Sequence, residues 1–488
     1  MSGKEPSTDR PLPASFGLAL DPGVRRTADG RVLTGGRPGR LLTLGARGAA
    51  AVDALIAGER VGIAERALGR RLVEAGLAHP TVTPRPVPYD AVTVVIPVRD
   101  RPAALERCLV SVGGDHPIVV VDDGSVDPTS VAQLSARHHA TLIRRPTPGG
   151  PAAARNAGLA AVRTPIVAFV DSDCEPVPYW LEQILPHLDD PADVAAAPRV
   201  RARTAGRTRA ERWAAESCPL DMGTAPAEVR PGGSVPYVPT AALVVHRGRL
   251  PETFDEDLRY GEDVDLVWRL IDGGWRVRYE PATTVWHRDP TSWRQLLTRR
   301  FHYGTSAAPL ARRHGSRLAP LILSPWPASA ALLLLSGRPA RGAALVAARS
   351  AVLSIRLAGR GAPPGLGSRR TAEATVLTIE GIGRAATSSL LPVAVLAAGV
   401  LPGTRRPLAT AIGLDIARRL RERRREPGCL GPLAWIAATV ADDAAYGLGV
   451  WVGVLRAPEP HALLPSTGAA RGAHWRPFVT TATRNVEI

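Results

Sequence analysis

The stretch that decides the fold is Ile166-Val167-Ala168-Phe169-Val170-Asp171-Ser172-Asp173, an apolar run that ends in two carboxylates. An earlier stretch, Val119-Val120-Val121-Asp122-Asp123-Gly124-Ser125, repeats the same pattern. The β-branched apolar runs predict buried strands, and ligands of open parallel α/β sheets bind beyond the carboxyl ends of the strands. We therefore expect two strands to deliver acidic side chains to one rim of a sheet.

A third acidic cluster, Gly261-Glu262-Asp263-Val264-Asp265-Leu266, stands at the start of a helix predicted over residues 263–271. Strand and helix patterns alternate between the clusters, which predicts a parallel sheet with right-handed crossovers. Three such clusters at one rim would make a site that grips a metal and a diphosphate and carries a general base. The strands are expected at residues 92–96, 118–121, 141–144, 166–170, 237–245 and 275–279, with an edge strand at 195–200.

Composition limits the classes of function. The chain has 488 residues, of which 45% are apolar, and a formal net charge of +16 at pH 7. The apolar fraction excludes wholesale disorder, and the basic balance suits nucleic acid, an anionic membrane or phosphorylated substrates. No recognition helix, zinc finger or aromatic–basic repeat supports nucleic acid, so we expect no nucleic-acid partner.

The cysteines and the N-terminal sequence indicate a cytoplasmic location for the catalytic part. Cys108, Cys174, Cys218 and Cys429 lack CxxC spacing, which favours reduced thiols over a disulfide or zinc framework. The polar N-terminus has no signal-peptide pattern.

Residues 1–85 are predicted to form a small separate module. Asp29-Gly30 is a hairpin signal, residues 41–44 read as a strand, and residues 48–57 and 64–75 read as short amphipathic helices. This pattern favours a winged-helix-like module with a faint resemblance to the peptide-recognition modules of natural-product biosynthesis. A cap that packs on the enzyme explains the same pattern at least as well.

The composition changes from Leu318 onward. Apolar segments at residues 318–335, 389–401 and 430–455 are separated by arginine clusters. A spanning helix needs roughly 20 apolar residues, and the last segment carries a costly acidic pair, Asp442-Asp443. We expect residues 306–465 to be helical and membrane-associated at the cytoplasmic face, with spanning helices, interfacial helices and a soluble domain left open. Residues 466–488 are expected to be a disordered tail.

The acidic clusters, in this order and spacing, resemble those of the family 2 glycosyltransferases. That family has the GT-A fold, an α/β nucleotide-diphospho-sugar transferase sandwich, which would occupy residues 90–305. The whole chain, including Arg300-Phe301-His302-Tyr303-Gly304-Thr305-Ser306, resembles the glycosyltransferases of the actinobacterial mycofactocin system. The Gln-x-x-Arg-Trp motif of processive synthases is missing from the sequence, which argues against cellulose-synthase-like processivity. The matching pieces are Val94-Val95-Ile96-Pro97, Val121-Asp122-Asp123-Gly124-Ser125, Ala154-Arg155-Asn156-Ala157-Gly158, Asp171-Ser172-Asp173 and Gly261-Glu262-Asp263-Val264-Asp265-Leu266 with Arg269.

The resemblance implies which residues bind the donor. Asp123 would meet the uracil edge of a nucleotide sugar, and Pro97 and Arg99 would line the same pocket. Arg155 and Asn156 would contact the sugar or the phosphates.

The resemblance also implies a metal site and a general base. Asp171, on the donor side, and Asp173 would hold Mg²⁺ or Mn²⁺, which bridges the diphosphate. His287 would be a further metal or diphosphate ligand, although a structural histidine explains its position equally well. Asp263 would be the general base, and Glu262 would orient the acceptor.

An inverting, metal-dependent glycosyltransferase is the implied function. The donor would be UDP-glucose, and the acceptor a peptide-derived redox cofactor precursor, pre-mycofactocin, extended by β-1,4-linked glucose. A second interpretation keeps the fold and takes a polyprenyl phosphate or cell-envelope glycan as acceptor, which the apolar C-terminal half favours. A third is an inactive GT-A scaffold at the membrane, against which the three intact acidic clusters argue.

Overall fold

The computed structural model describes residues 10–36, 39–203, 206–423 and 430–467. These residues form two compact units. The first comprises residues up to 203 together with 217–289, and the second comprises 206–216 and the residues from 290 onward. Residues 290–305, which we assigned to the catalytic domain, therefore fall in the second unit. Cys429 and residues 468–488 of the expected tail lie outside the described residues.

The N-terminal part of the first unit contains a small module with its own apolar core, to which Leu18, Leu33, Val52 and Leu72 contribute. Strand β1 pairs with β5, and β2, β3 and β4 form a three-stranded sheet. The two predicted helices and the predicted strand are present, and the winged-helix comparison stays a prediction. The elements are β1 (Gly17–Leu20), β2 (Arg25–Arg26), β3 (Val32–Gly35), β4 (Arg40–Thr43), α1 (Ala46–Ile56), α2 (Ile63–Glu74) and β5 (Ala78–Thr81).

Buried charges join this module to the rest of the first unit. Arg70 of α2 forms an ion pair of 2.6 Å with Asp190, and both side chains are almost fully buried. Arg276 reaches Glu74 at 2.6 Å. The module therefore contacts the catalytic part directly.

A nine-stranded mixed sheet forms the centre of the first unit, in the order β10-β14-β11-β13-β9-β6-β7-β8, with β12 paired to β14. Its strands are β6 (Val92–Val98), β7 (Ile118–Asp123), β8 (Thr141–Arg145), β9 (Ile166–Val170), β10 (Cys174–Pro176), β11 (Asp193–Ala202), β12 (Ala227–Glu228), β13 (Ala242–His246) and β14 (Arg276–His287). The helices of this part are α3 (Pro102–Val112), α4 (Pro128–Arg137), α5 (Pro151–Ala161), α6 (Trp180–Ile184) and α8 (Glu262–Asp272), and α7 (Arg209–Glu216) belongs to the second unit.

The expected parallel sheet is only partly correct, because four of the eight strand pairs in this sheet are parallel and four are antiparallel. Strands β8, β7, β6 and β9 are parallel neighbours, whereas β13 is antiparallel to both β9 and β11. The alternation of strand and helix patterns in the sequence indicates parallel pairs only, because antiparallel neighbours need no crossover helix. The expected edge strand at 195–200 is wrong, since β11 lies between β14 and β13. Its alanine-rich sequence is weakly β-forming, and the neighbouring strands rather than propensity place it in the interior.

Parallel pairing brings the first two acidic clusters to one rim of the sheet. Val98 at the end of β6 is in register with Asp122 at the end of β7, and β9 runs parallel to β6 on its other side. We call this edge, where β6, β7 and β9 end, the carboxyl-terminal rim. Because β10 is antiparallel to β14 with Cys174 opposite His287, the end of β14 also lies beside the second acidic cluster.

The described part of the second unit consists mainly of helices, with loops between them and one isolated β-bridge between Ile322 and Ser466. Besides α7, it contains α9 (Trp293–Thr305), α10 (Ala307–His314), α11 (Pro325–Leu335), α12 (Pro339–Ala358), α13 (Leu366–Thr387), α14 (Leu391–Val400), α15 (Arg405–Arg423) and α16 (Pro432–Arg456). In the described parts of the chain, no helix taken singly has both the length and the apolarity needed to cross a membrane. Helices α13 and α14 meet the requirement only together, and they bend by 93° at the break between them.

Candidate active site

A buried arginine connects the second and third acidic clusters. Arg155 of α5 donates from Nη2 to Asp171 Oδ1 at 2.7 Å and from Nη1 to Glu262 Oε1 at 2.8 Å. Its guanidinium also lies 5.5 Å from the centre of the Phe254 ring. Both ends of the guanidinium are used by carboxylates, so we assign Arg155 a positioning role, and its contact with a donor stays a prediction.

The close packing of α5 on the sheet explains how Arg155 reaches this place. A Cβ at Gly158 would collide with the side chain of Val95 and crowd that of Val121, so only glycine lets the helix approach β6 and β7 this closely. Residues Ala152, Ala154, Arg155 and Gly158 form the buried face of the helix. The small residues therefore let α5 pack closely on the sheet, and this brings the Arg155 side chain to the carboxyl-terminal rim.

Two of the three residues expected to hold a metal, Asp173 and His287, lie beside each other at the rim. His287 Nε2 is 3.6 Å from Asp173 Oδ1, and His287 Nδ1 is 3.4 Å from Asp289 Oδ2. A carboxylate behind a histidine is the arrangement that orients metal-binding imidazoles, and carboxylate oxygens suit Mg²⁺ or Mn²⁺. Among the residues that the structure describes, no three metal-ligating side chains come together. The metal site expected at Asp171, Asp173 and His287 therefore stays a prediction.

Four arginines that the sequence did not single out surround this part of the rim. Arg101 pairs with Asp173 at 2.5 Å. Glu175 accepts hydrogen bonds from Arg203 and Arg288, each at 2.5 Å, and forms an ion pair with Arg107 at 3.4 Å. All four keep between 41% and 61% of their side-chain surface exposed, so they leave an excess of positive charge facing solvent. No sequence motif marks them, because the strand register rather than the spacing brings them together.

Asp123 lies at the same rim, where its carboxylate fastens the turn before α5. It is buried and accepts hydrogen bonds from the backbone N–H groups of Gly149, at 3.0 Å, and Gly150, at 2.7 Å. Arg145 pairs with it as well. Pro97 is the penultimate residue of β6, one strand away, and Arg99, about half exposed, follows the end of that strand. The three are neighbours as expected, and their contact with a nucleotide stays a prediction.

Asn156 holds a loop of the protein. Its Nδ2 donates to the carbonyl of Phe254 at 2.8 Å and to Glu256 Oε1 at 2.9 Å, and its Oδ1 accepts from the Phe254 N–H at 3.0 Å. These bonds place the Phe254 ring edge-on against Phe169, with centroids 5.3 Å apart. The donor contact expected of Asn156 stays a prediction, because the structure commits its amide to this loop.

The third acidic cluster begins helix α8 and points its carboxylates in different directions. Gly261 adopts φ 82°, a left-handed conformation that glycine tolerates, and the helix starts at Glu262. Burial, together with the neighbouring Glu262 carboxylate, raises the pKa of Asp263 from 3.8 to about 7. Asp265 is fully buried on another face, where it pairs with Arg269 at 2.7 Å. Only Glu262 and Asp263 are therefore available to the site.

Comparison with known proteins places the chain in a family. Over 475 residues it is 38% identical to the pre-mycofactocin glycosyltransferase of Mycobacterium tuberculosis, and the match covers 93% of this chain and 98% of that protein. Residues 93–252 match the family model described as Glycosyl transferase family 2. The chain belongs to the family 2 glycosyltransferases. The expected resemblance and the expectation of an enzyme are thereby confirmed, and the inactive scaffold loses its support.

Two further proteins are similar to parts of this glycosyltransferase. An uncharacterized glycosyltransferase of M. tuberculosis is 32% identical over 194 residues, which is 38% of this chain and 82% of that protein. Among solved structures, the mannosyltransferase of Pyrobaculum calidifontis in complex with GDP-Man and Mn²⁺ aligns with 20% identity and a TM-score of 0.36, over 70% of this chain and 90% of that chain.

Proposed function

We propose that this glycosyltransferase moves glucose from UDP-glucose to pre-mycofactocin, a peptide-derived redox cofactor precursor, and extends it with β-1,4-linked glucose. The acceptor is supported by the relative that carries this name, because the similarity runs along 93% of the chain. The donor and the linkage rest on the sequence resemblance.

The observation that carries the proposed chemistry is the bridge made by Arg155. One guanidinium binds Asp171, which the resemblance assigns to the donor, and Glu262, which it assigns to the acceptor. The two half-sites are thereby held at a fixed separation. Fixed positioning of two reactants contributes a large share of enzymatic rate enhancement.

Asp263 suits the role of general base. A catalytic base works best when its pKa lies near the working pH, and burial raises that of Asp263 to about 7. In the proposed step, an acceptor hydroxyl oxygen attacks the anomeric carbon while Asp263 takes its proton. The bond from that carbon to the diphosphate oxygen breaks, UDP leaves with the bonding electrons, and a single displacement inverts the anomeric centre.

The rim can compensate the charge that develops on the leaving diphosphate. Asp171, Asp173 and His287 would hold Mg²⁺ or Mn²⁺, which supplies Lewis-acid neutralisation of that charge when bound. Arg101, Arg107, Arg203 and Arg288 add four guanidinium groups against the two carboxylates Asp173 and Glu175. Guanidinium groups bind phosphate oxygens well, so this excess of positive charge favours a diphosphate donor.

The second candidate acceptor is a polyprenyl phosphate or a cell-envelope glycan, because helix α14 is apolar and none of its residues is buried. The deciding experiment compares a deletion strain with the same strain after the gene has been restored. Mass spectrometry is applied to the extracted cofactor pool and to the lipid extract of both strains. Under our proposal the hexose-bearing cofactors disappear and the lipids are unchanged. Persistence of the glycosylated cofactors, with loss of a glycolipid, would establish the second candidate.

A further inference from the structure

Helix α14 has an apolar surface that the described part of the protein leaves uncovered. Its ten residues, LPVAVLAAGV, include no polar side chain, and none of them is buried. Val395, Leu396 and Val400 are each more than 60% exposed. A contiguous exposed patch of this kind indicates contact with a partner or a membrane.

Charged side chains are buried inside the same helical unit, beside its apolar clusters. Asp415 of α15 is buried and pairs with Arg419 at 2.7 Å and with Arg384 at 3.5 Å. Glu380 of α13 is buried beside Arg418 at 3.1 Å. Charged side chains directed inward and apolar ones outward are characteristic of helices that face lipid.

The helices of this unit also approach one another through small residues. A Cβ at Gly383 of α13 would collide with the backbone of Ala411 in α15. A Cβ at Gly304 of α9 would collide with the carbonyl of Tyr446 in α16, and one at Gly449 with that of Phe301. Such close backbone packing is common between helices in a lipid environment, where burial of large apolar side chains gives little driving force.

Positive charge accompanies the apolar helix. Residues 306–423 contain 17 arginines and only four acidic residues. Arg405 and Arg406, which begin α15 just after α14, are both exposed. An apolar helix next to arginines is the pattern of an interfacial helix on anionic lipid. A second copy of this chain on the same surface would bring like charges together, which disfavours a dimer interface there.

We propose that α14 inserts its apolar side chains into an anionic phospholipid leaflet, with Arg405 and Arg406 against the headgroups. The cytoplasmic leaflet carries the anionic lipids, so this contact holds the enzyme on the cytoplasmic face. The inference is independent of the donor and of the acceptor.

The test is vesicle flotation of the full-length protein, diluted out of detergent. We expect it to float with vesicles that contain phosphatidylglycerol and to float poorly with phosphatidylcholine alone. The double variant Val395→Glu/Leu396→Glu should bind the anionic vesicles at least about tenfold more weakly, because withdrawing two apolar side chains from lipid exceeds the 1.4 kcal/mol of a tenfold change.

The matched control is Ile63→Glu/Val110→Glu. These residues of the first unit are 68% and 66% exposed, against 63% and 67% for Val395 and Leu396, and the control adds the same two negative charges. It should float like the wild type. If the α14 variant melts earlier than the wild type in detergent, Val395→Ser/Leu396→Ser replaces it.

Three outcomes would overturn the proposal. The wild type could remain unbound with anionic vesicles, or the α14 variant could float as well as the control. Light scattering could also show a dimer without lipid that the α14 variant converts to a monomer, in which case the surface is an interface between two copies.

Discussion

Nη1 of Arg155 lies 2.8 Å from Oε1 of Glu262, a buried ion pair between residues 107 positions apart in the chain. The other end of the same guanidinium holds Asp171. The second and third acidic clusters therefore depend on one side chain, and its loss should disturb both.

Arg155→Ala should lower the free energy of unfolding by about 3–5 kcal/mol, because removal of one member of a buried pair leaves the other charge uncompensated. The control is Arg137→Ala, since Arg137 is 63% exposed and pairs with Glu106 across the surface. That change should cost no more than about 1 kcal/mol. Denaturant unfolding of both variants measures the difference, and equal midpoints would contradict a structural role for the bridge.

Arg155→Lys should fold and yet transfer glucose slowly, because one ammonium group does not reproduce the two-ended contact of a guanidinium. We expect kcat to fall while the KM for the donor changes little, since Arg155 lies between carboxylates. A large rise in the donor KM with unchanged kcat would instead show that Arg155 binds the nucleotide sugar.

Asp263→Asn should bind the UDP-sugar almost normally and transfer it about 10²–10⁴-fold more slowly, because the change keeps the size of the side chain and removes the basic oxygen. Calorimetry of donor binding and product mass spectrometry measure the two quantities. The control is Asp257→Asn, an exposed carboxylate of the preceding loop. An unchanged rate for Asp263→Asn, or equal losses in both variants, would show that the base is another residue.

Asp265→Asn, a change in the same acidic cluster, is unsuitable as a control for Asp263→Asn. The structure buries Asp265 completely and pairs it with Arg269. The substitution should reduce stability, so a loss of activity in this variant would not report on the chemistry.

The pH dependence of kcat/KM should show a limb near neutrality. In the proposed mechanism Asp263 acts as the carboxylate, and its raised pKa means that the carboxylate forms only as the pH rises through about 7. Activity should therefore climb roughly tenfold per pH unit below that point and level off above it. A limb near the ordinary value of 3.8, or the same limb in Asp263→Asn, would assign the titration to another group.

Asp173→Ala should abolish metal-dependent turnover and leave the fold intact, since Asp173 pairs with the exposed Arg101 and lies 3.6 Å from His287. EDTA should stop the wild type, and added Mn²⁺ should restore it. Asp171→Ala is the less clean variant, because it also frees one end of the buried Arg155. Full activity of the wild type or of Asp173→Ala in EDTA would exclude the metal role.

Truncation after Arg313, which the change in composition suggests, would cut through helix α10. The second unit already begins at residue 290 and also takes in residues 206–216. Substitution within α14 is therefore the sounder test of membrane contact.

The sequence alone determined the order of the acidic clusters, the strands that end in Asp122-Asp123 and Asp171, and the helix that starts beside Asp263. Local hydrophobic pattern and turn residues decide these features, because they depend on neighbours in the chain. The tertiary structure decided that β11 is interior, that Asp123 fastens the turn at Gly149 and Gly150, and that Arg155 joins two clusters. It also set His287 beside Asp173, because the register of β10 on β14 brings these distant residues together. A shift of one residue in that register would turn the His287 side chain to the other face of the sheet.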